Sequence, residues 1–285
     1  MSGHAGRGGG APAPHGTRWL AGDLRSHTVH SDGTLTVREL ACLAASRGLD
    51  YLAVTDHNTV SHHPGLAEAG AHAGVLLLPG QEVTADLGHA NVLGGTGWVD
   101  FRRPSADWAA FAAVRGGLMS INRPLIGDCA WRRPLPPEHR PRYAEIWHSS
   151  WWDRRWGAPL AWADVWRPGG VVPLGGSDFH DPAQHKTLGE PVTWVLAETA
   201  GGGPGDADVL GGLLAGRTAV SAGRDAPVLL RVEDELIAIG AGGTVLVRPG
   251  GRRTAVRGDH VRIPADRPGM HRLETDENEV IALCG

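Results

Sequence analysis

Short polar blocks, most of them carrying one or more of the 15 histidines in this chain, recur along the sequence: HTVHSDG (27–33), TDHN (55–58), QEVT (81–84), GH (88–89), INRP (121–124), WHSS (147–150) and GSDFH (176–180). Imidazole nitrogen and carboxylate oxygen are the usual ligands of zinc, manganese or iron, and a carboxylate can bridge two ions. Hydroxide bound to such ions is a nucleophile near neutral pH, and paired ions clamp the oxygens of a substrate. The candidate ligands are His27, Asp32, His57, Glu82, His89, Asp178 and His180. His148 follows an apolar stretch and is expected to point towards the metals. His30 is either a substrate-facing group or a histidine packed at the mouth of the site. His62, His63 and His72 are expected on a solvated helix, and His260 and His271 at the surface.

Six of the 11 tryptophans fall between Trp147 and Trp166. Packing is the reading for Trp162 and Trp166, whereas the cluster WHSSWWDRRW (147–156), Trp151 included, is a candidate for an aromatic wall over a flat apolar substrate. Arg154 and Arg155, with Lys186, either bind an anionic group or form a solvated charge pair. No G-x-S-x-G elbow is present, which excludes the serine-hydrolase reading.

The elements that must position these blocks follow a strand-then-helix rhythm. Apolar runs at 20–29, 51–55, 75–80, 89–94, 117–121, 144–147, 171–176 and 192–198 predict strands. Helices are expected over 38–47, 63–73, 106–115 and 159–166. The first opens on Thr36 with Glu39 three positions on, a capping box, and stops at Gly48. Nearly every block lies just after a strand. Loops after strands converge on one face of a β/α barrel, whereas an open doubly wound sheet gathers its site at one switch point. The expectation is therefore an α/β fold with a parallel sheet closed into a barrel. Residues 1–17 are read as a disordered tail, 18–215 as the barrel and 216–285 as a small β-rich appendage of short strands. Gly175 and Gly176 are expected to allow close strand packing before Asp178, and the glycine runs at 8–10 and 201–203 to be linkers.

Hydrophobic residues make up 41% and charged residues 20%, which suits a domain with a buried core. The net charge of −4 gives no broad positive field, so neither nucleic acid nor a membrane surface is an expected partner. No apolar run approaches membrane-spanning length, and the N-terminus carries no apolar signal core. Three widely spaced cysteines argue against a disulfide framework and for a reducing, cytoplasmic setting. Of the 27 basic residues, all but Lys186 are Arg.

The ordered series D-L-x-x-H-T-x-x-S-D-G, T-D-H-N, G-x-E-V-T, G-H, I-N-x-P and G-S-D-x-H resembles the PHP (polymerase and histidinol phosphatase) family over about residues 19–200. The resemblance is closest to the branch with a small β appendage, whose members are phosphoesterases or carboxylic and carbamic ester hydrolases. It implies a distorted seven-stranded β/α barrel and up to three metal ions, acting on a small-molecule substrate. Two positions depart from the pattern. The family's opening H-x-H falls on Arg25-Ser26-His27, and its N-H-P on Asn122-Arg123-Pro124. A guanidinium has no lone pair and cannot coordinate a cation. By carry-over, one site keeps His27, Glu82 and Asp178 without its first ligand. A second keeps only Glu82 and His89, and the third keeps Asp32, His57 and His180. One to two divalent ions (Zn, Mn or Fe) are thus expected in place of three.

The expected reaction is phosphoester hydrolysis by a metal-bound hydroxide, with His27, Glu82, Asp178, Arg25 and Arg123 around the reacting group. A carboxylic or carbamic ester hydrolase on the same metals is one alternative. A catalytically degenerate barrel that binds metal or an anion is another. Arg25 and Arg123 are read either as the mark of that degeneracy or as replacements for metal charge that hold a phosphate or carboxylate bidentately. A third reading is an altered sequence, because one base change (CAC to CGC) converts His to Arg.

Overall fold

The computed structural model describes residues 10–125, 129–167, 169–199 and 203–285. The first part alternates strands and helices: β1 (Thr17–Asp23), α1 (Val37–Ser46), β2 (Tyr51–Val54), α2 (Leu66–Ala73), β3 (Leu76–Ala85) and β4 (Gly88–Leu93). Then come α3 (Ser105–Val114), β5 (Leu118–Ile121), β6 (Tyr143–His148), α4 (Ala158–Trp166), β7 (Val172–Gly176), β8 (Val192–Glu198) and α5 (Asp206–Ala215). The remainder is all β: β9 (Thr218–Ser221), β10 (Val228–Val232), β11 (Glu235–Ile239), β12 (Val245–Val247), β13 (Arg253–Ala255), β14 (His260–Pro264), β15 (His271–Glu274) and β16 (Val280–Cys284).

The helices form where local chemistry demands. Thr36 Oγ1 accepts from the Glu39 backbone N–H while Glu39 returns a carboxylate to the Thr36 N–H, so the predicted capping box starts α1. Val37, Leu40, Ala41 and Ala44 then turn one apolar face to the core.

Among the described residues, 13 strands join in one mixed sheet of order β13-β12-β15-β16-β9-β8-β1-β2-β3-β4-β5-β6-β7, and β10-β11-β14 form a second, small sheet. The fold is therefore mixed α/β, as expected, but its main sheet exceeds seven strands and is not all parallel. Pairs β1–β2, β2–β3, β5–β6 and β6–β7 are parallel, whereas β4 runs antiparallel to both neighbours and β8 antiparallel to β1 and β9. Nor do the C-terminal strands stand apart. β9, β16, β15, β12 and β13 extend the main sheet beyond β8. The predicted tail ends in β1, with Ala11 and Ala13 packed on the core; its residues 1–9 lie outside the described residues, as do 8–9 and 201–202 of the predicted linkers.

The sheet curls. β7 and β8 meet through Thr193, whose Oγ1 accepts from Gly175 N at 2.8 Å and donates to Gly175 O at 2.9 Å. Beyond the strands, Asp178 N donates to Arg25 O (3.1 Å) and His27 N to Phe179 O (2.9 Å). The segments carrying Arg25–His27 and Asp178–His180 are thereby zipped together. Close approach there requires glycine: a Cβ on Gly175 would lie 2.7 Å from Val220 Cγ1, and one on Gly176 would lie 2.7 Å from both Arg25 Cβ and Glu145 Oε1. Gly176→Ala is expected to lower stability by about 1–3 kcal/mol, since neither neighbour can retreat. Chemical denaturation checks this, and a variant as stable as the parent would show that the pocket has slack.

Candidate metal centre

Three buried carboxylates converge at the C-terminal ends of the strands: Glu82 inside β3, Glu145 inside β6 and Asp178 just after β7. Arg25, two residues past β1, enters between them. Its Nε donates to Glu82 Oε2 (2.9 Å) and lies 3.0 Å from Asp178 Oδ1; Nη1 donates to Glu145 Oε2 (3.1 Å), and Nη2 to Glu82 Oε1. The guanidinium is fully buried. Burial opposes its charge, but Asp178, Glu82 and Glu145 more than compensate and hold its pKa raised. In return, burial is overcome at Glu82 by Arg25, His27 and His89, and at Asp178 by Arg25, His148 and His27. Both carboxyls titrate well below the usual range. Glu145 is different. Burial, reinforced by Asp178, outweighs Arg25 and lifts it to about 7.

His27 sits against the same acids, Nε2 3.1 Å from Glu82 Oε2 and 3.3 Å from Asp178 Oδ1. Burial disfavours its charge, yet these two carboxylates lift it to about 9. Its ring stacks between His57 and His180, at centroid distances of 4.4 and 4.1 Å. Asp32 faces those two rings from the turn Thr28–Gly33, which Ser31 ties to Asp56 (2.6 Å).

The proton positions around Asp32 are fixed by the surroundings. His180 Nδ1 lies 2.8 Å from the Asp178 carbonyl, which can only accept, so Nδ1 carries the proton. Thr84 Oγ1 donates to Glu82 O (3.4 Å) and is left to accept from His57 Nδ1 at 2.6 Å. Burial lowers His57 to about 4 and lowers His180 too, so both rings are neutral at pH 7. Their Nε2 lone pairs therefore face Asp32, at 3.6 Å (His57, Oδ2) and 3.4 Å (His180, Oδ1), with no proton between donor atoms. Three electron-rich atoms converging without a hydrogen fit a cation, and second nitrogens anchored on protein oxygens are what ligand histidines need. His27 can join this trio, the four ligand atoms lying within 4.8 Å of one another.

Two further groupings have ligand spacing, His27–Glu82–Asp178 and His57–Glu82–His89. The first fits a metal poorly, because Arg25 already lies on Glu82 and Asp178. In the second, His57 Nδ1 is committed to Thr84, and His89 Nδ1 lies 2.8 Å from Glu82 Oε1.

Residues 23–127 match the PHP domain family. Over this segment the chain is similar to PHP domains. A two-domain protein from Bacteroides vulgatus containing a PHP-like metal-dependent phosphoesterase shares the fold, with a TM-score of 0.59, 18% identity, and coverage of 96% of this chain and 89% of that one. A metal-dependent phosphoesterase structure from Bifidobacterium adolescentis aligns at a TM-score of 0.44 and 18% identity, over 67% of this chain and 95% of that one. Among curated proteins, the 5'-3' exoribonuclease Rnm of Salmonella typhimurium is 39% identical over 64 residues. The match spans 22% of each chain, about a fifth of the relative's length.

Within this fold, all seven predicted ligands come together, but other expectations change. Arg25 is sealed among three carboxylates with no exposed surface, so it is not placed to clamp a substrate anion. Trp151 is 6% exposed, packed edge-on against Trp147 with its Nε1 on Trp156 O, and forms no wall. Arg154 is paired with Glu279 and lies over Trp147. His30 is exposed and bonds Ser61 Oγ at 2.7 Å, while His148 does reach the centre, its Nε2 3.3 Å from Asp178 Oδ2. His62 is not solvated: it is buried on Asp56 (3.0 Å), and His63 bonds Gly80 O. His271 is also buried. Glu145 was hidden in the apolar run AEIW, although a carboxylate within a strand buried on both faces demands a cation. Arg123 and Asp178 have left-handed backbones, φ +44° and +56°; side chains pay strain there, as functional sites often do. Cys42, Cys129 and Cys284 are unpaired, and among the described residues no helix is long and apolar enough to cross a membrane.

Proposed function

We propose that this protein is a metal-dependent phosphoesterase working with one ion at Asp32, His57 and His180, with His27 adjoining. The observation that carries this is the pair of unprotonated Nε2 atoms facing the Asp32 carboxylate. A divalent ion held there would supply Lewis-acid polarisation of a phosphoryl oxygen and acidify water. The chain's own contribution is orientation. Thr84 and the Asp178 carbonyl hold the two rings, and the Ser31–Asp56 bond holds the turn that carries Asp32. Arg25 supplies behind them the charge that Glu82, Glu145 and Asp178 require. The alternative of a carboxylic or carbamic ester hydrolase draws no support from Trp147 and Trp151, which are buried, whereas Trp152 and Trp156 of the same segment are exposed.

Protein purified without chelator should carry about one divalent ion per chain, with mass spectrometry of bound metal as the readout. It should turn over p-nitrophenyl phosphate with added manganese or zinc and cease on EDTA. Turnover of p-nitrophenyl acetate alone, or phosphate turnover insensitive to EDTA, would overturn the reading.

A further inference from the structure

Lys186 is the sole lysine of the chain, and it stands at the centre. Its Nζ lies 2.6 Å from Asp178 Oδ2 and 3.0 Å from Asp178 O, the carbonyl that also holds His180. Asp178 does not depend on it. Oδ1 has Arg25 at 3.0 Å and His27 at 3.3 Å, and Oδ2 has His148 at 3.3 Å. Nor is Arg123 committed: its nearest approach to Asp178 is 3.7 Å, beyond hydrogen-bond length, and its buried Nε has no hydrogen-bond partner. Lys186 and Arg123 keep 28% and 18% of their side-chain surface exposed, whereas Arg25 keeps none. Two cations, one a point charge on a flexible stem and one a planar fork, therefore flank the same carboxylate edge beside a metal ligand.

Charge leads in the same direction. Arg25, Arg123 and Lys186 equal Glu82, Glu145 and Asp178 in number even before His27 is counted, so an ion at Asp32 adds two positive charges against one further carboxylate. The centre is then short of negative charge, with two partly exposed cationic side chains beside it. Resting on the phosphoesterase reading, we infer that Lys186 and Arg123 form a phosphate-binding subsite beside Asp32–His57–His180, and that the substrate presents a terminal, doubly charged phosphate: a phosphomonoester and not a diester. Lys186 swings from Asp178 to the phosphate, and His148 and Arg25 keep Asp178 in place.

The lone lysine makes the test direct. The only amines trinitrobenzenesulfonate can label are Lys186 and the α-amino group, and peptide mass spectrometry separates them from each other and from adducts on the free cysteines. With EDTA present, so that neither ion nor turnover contributes, inorganic phosphate at ten times its Kd should slow Lys186 labelling by about tenfold, as mass action requires. The α-amine should be unaffected. Lys186→Met should raise KM for p-nitrophenyl phosphate by about tenfold, the loss of one charge-assisted hydrogen bond, with bound metal unchanged and Lys186→Arg intermediate. Bis(p-nitrophenyl) phosphate should be the poorer substrate. Labelling indifferent to phosphate, or an unaltered KM in Lys186→Met, overturns the subsite. Should the variant not fold, labelling of the parent protein still decides. Protection without turnover would leave the subsite and remove the phosphoesterase reading; turnover without protection would do the reverse.

Discussion

Arg25→Ala should lose about 3–5 kcal/mol of stability, because it strips the central cation from three buried acids. Glu82, Glu145 and Asp178 are buried, and every one of them touches the guanidinium. Water cannot replace a cation in a pocket with no exposed surface, so the acids must be protonated or the strands must separate. Glu145, already at about 7, would be neutralised first; Glu82 and Asp178, whose low values depend largely on Arg25, would follow. Arg25→Lys keeps the charge but cannot reproduce the fork on Glu82, and should fall between parent and Ala. Arg25→His supplies a coordinating nitrogen instead. It should be unstable in EDTA and recover on adding manganese or zinc, gaining bound metal as it does, and Arg123→His in the same chain should add to that gain. Thermal denaturation with EDTA and with metal reads all of these. An Arg25→Ala protein within about 1 kcal/mol of the parent would mean that the three acids are not held by this cation.

How much of this could be read from the chain alone depends on the range of the interaction. α1 was legible to its cap because Thr36 and Glu39 are three residues apart and the apolar face repeats locally. The blocks after the strands were legible as candidate ligands for the same reason: residue type and strand end are local facts. Strand direction was not. The run ending at Glu82 continues to Ala85 and doubles back through Gly88 as an antiparallel partner, placing Glu82 in mid-strand with His89 on the facing strand. The short C-terminal strands read as an appendage because nothing within residues 218–285 reveals that Thr218–Ser221 pairs with β8 on one side and β16 on the other.

The same limit governs the charged residues. That Arg25 cannot bind a metal follows from its chemistry; that three acids from positions 82, 145 and 178 surround it follows only from the curl of the sheet. His62 looked solvated until Asp56, six residues earlier, was found against its ring. Unpaired charge is the signal that sequence patterns carry least well, since the partner is set by topology.

His57→Ala should abolish stoichiometric metal binding and, with it, turnover of p-nitrophenyl phosphate. His57 contributes one of the two neutral imidazole lone pairs that face Asp32; without it the site keeps His180, a half-solvated carboxylate and His27, whose Nε2 is already held against Glu82 and Asp178. The other groupings cannot compensate. His57 belongs to one of them as well, and Arg25 stands in the other. Because the ring is neutral at pH 7, its removal takes away a ligand and not a charge, so stability in EDTA should change little while the stabilisation given by added metal disappears. Thr84→Val provides the finer test. It leaves the imidazole in place but removes the oxygen that holds Nδ1–H, and outer-shell losses of this kind cost 10–100-fold in metal affinity. His89→Ala, outside the trio, should keep the bound ion. A His57→Ala protein that retains its metal would move the ion to the acids around Arg25, and the single-ion reading would fall with it.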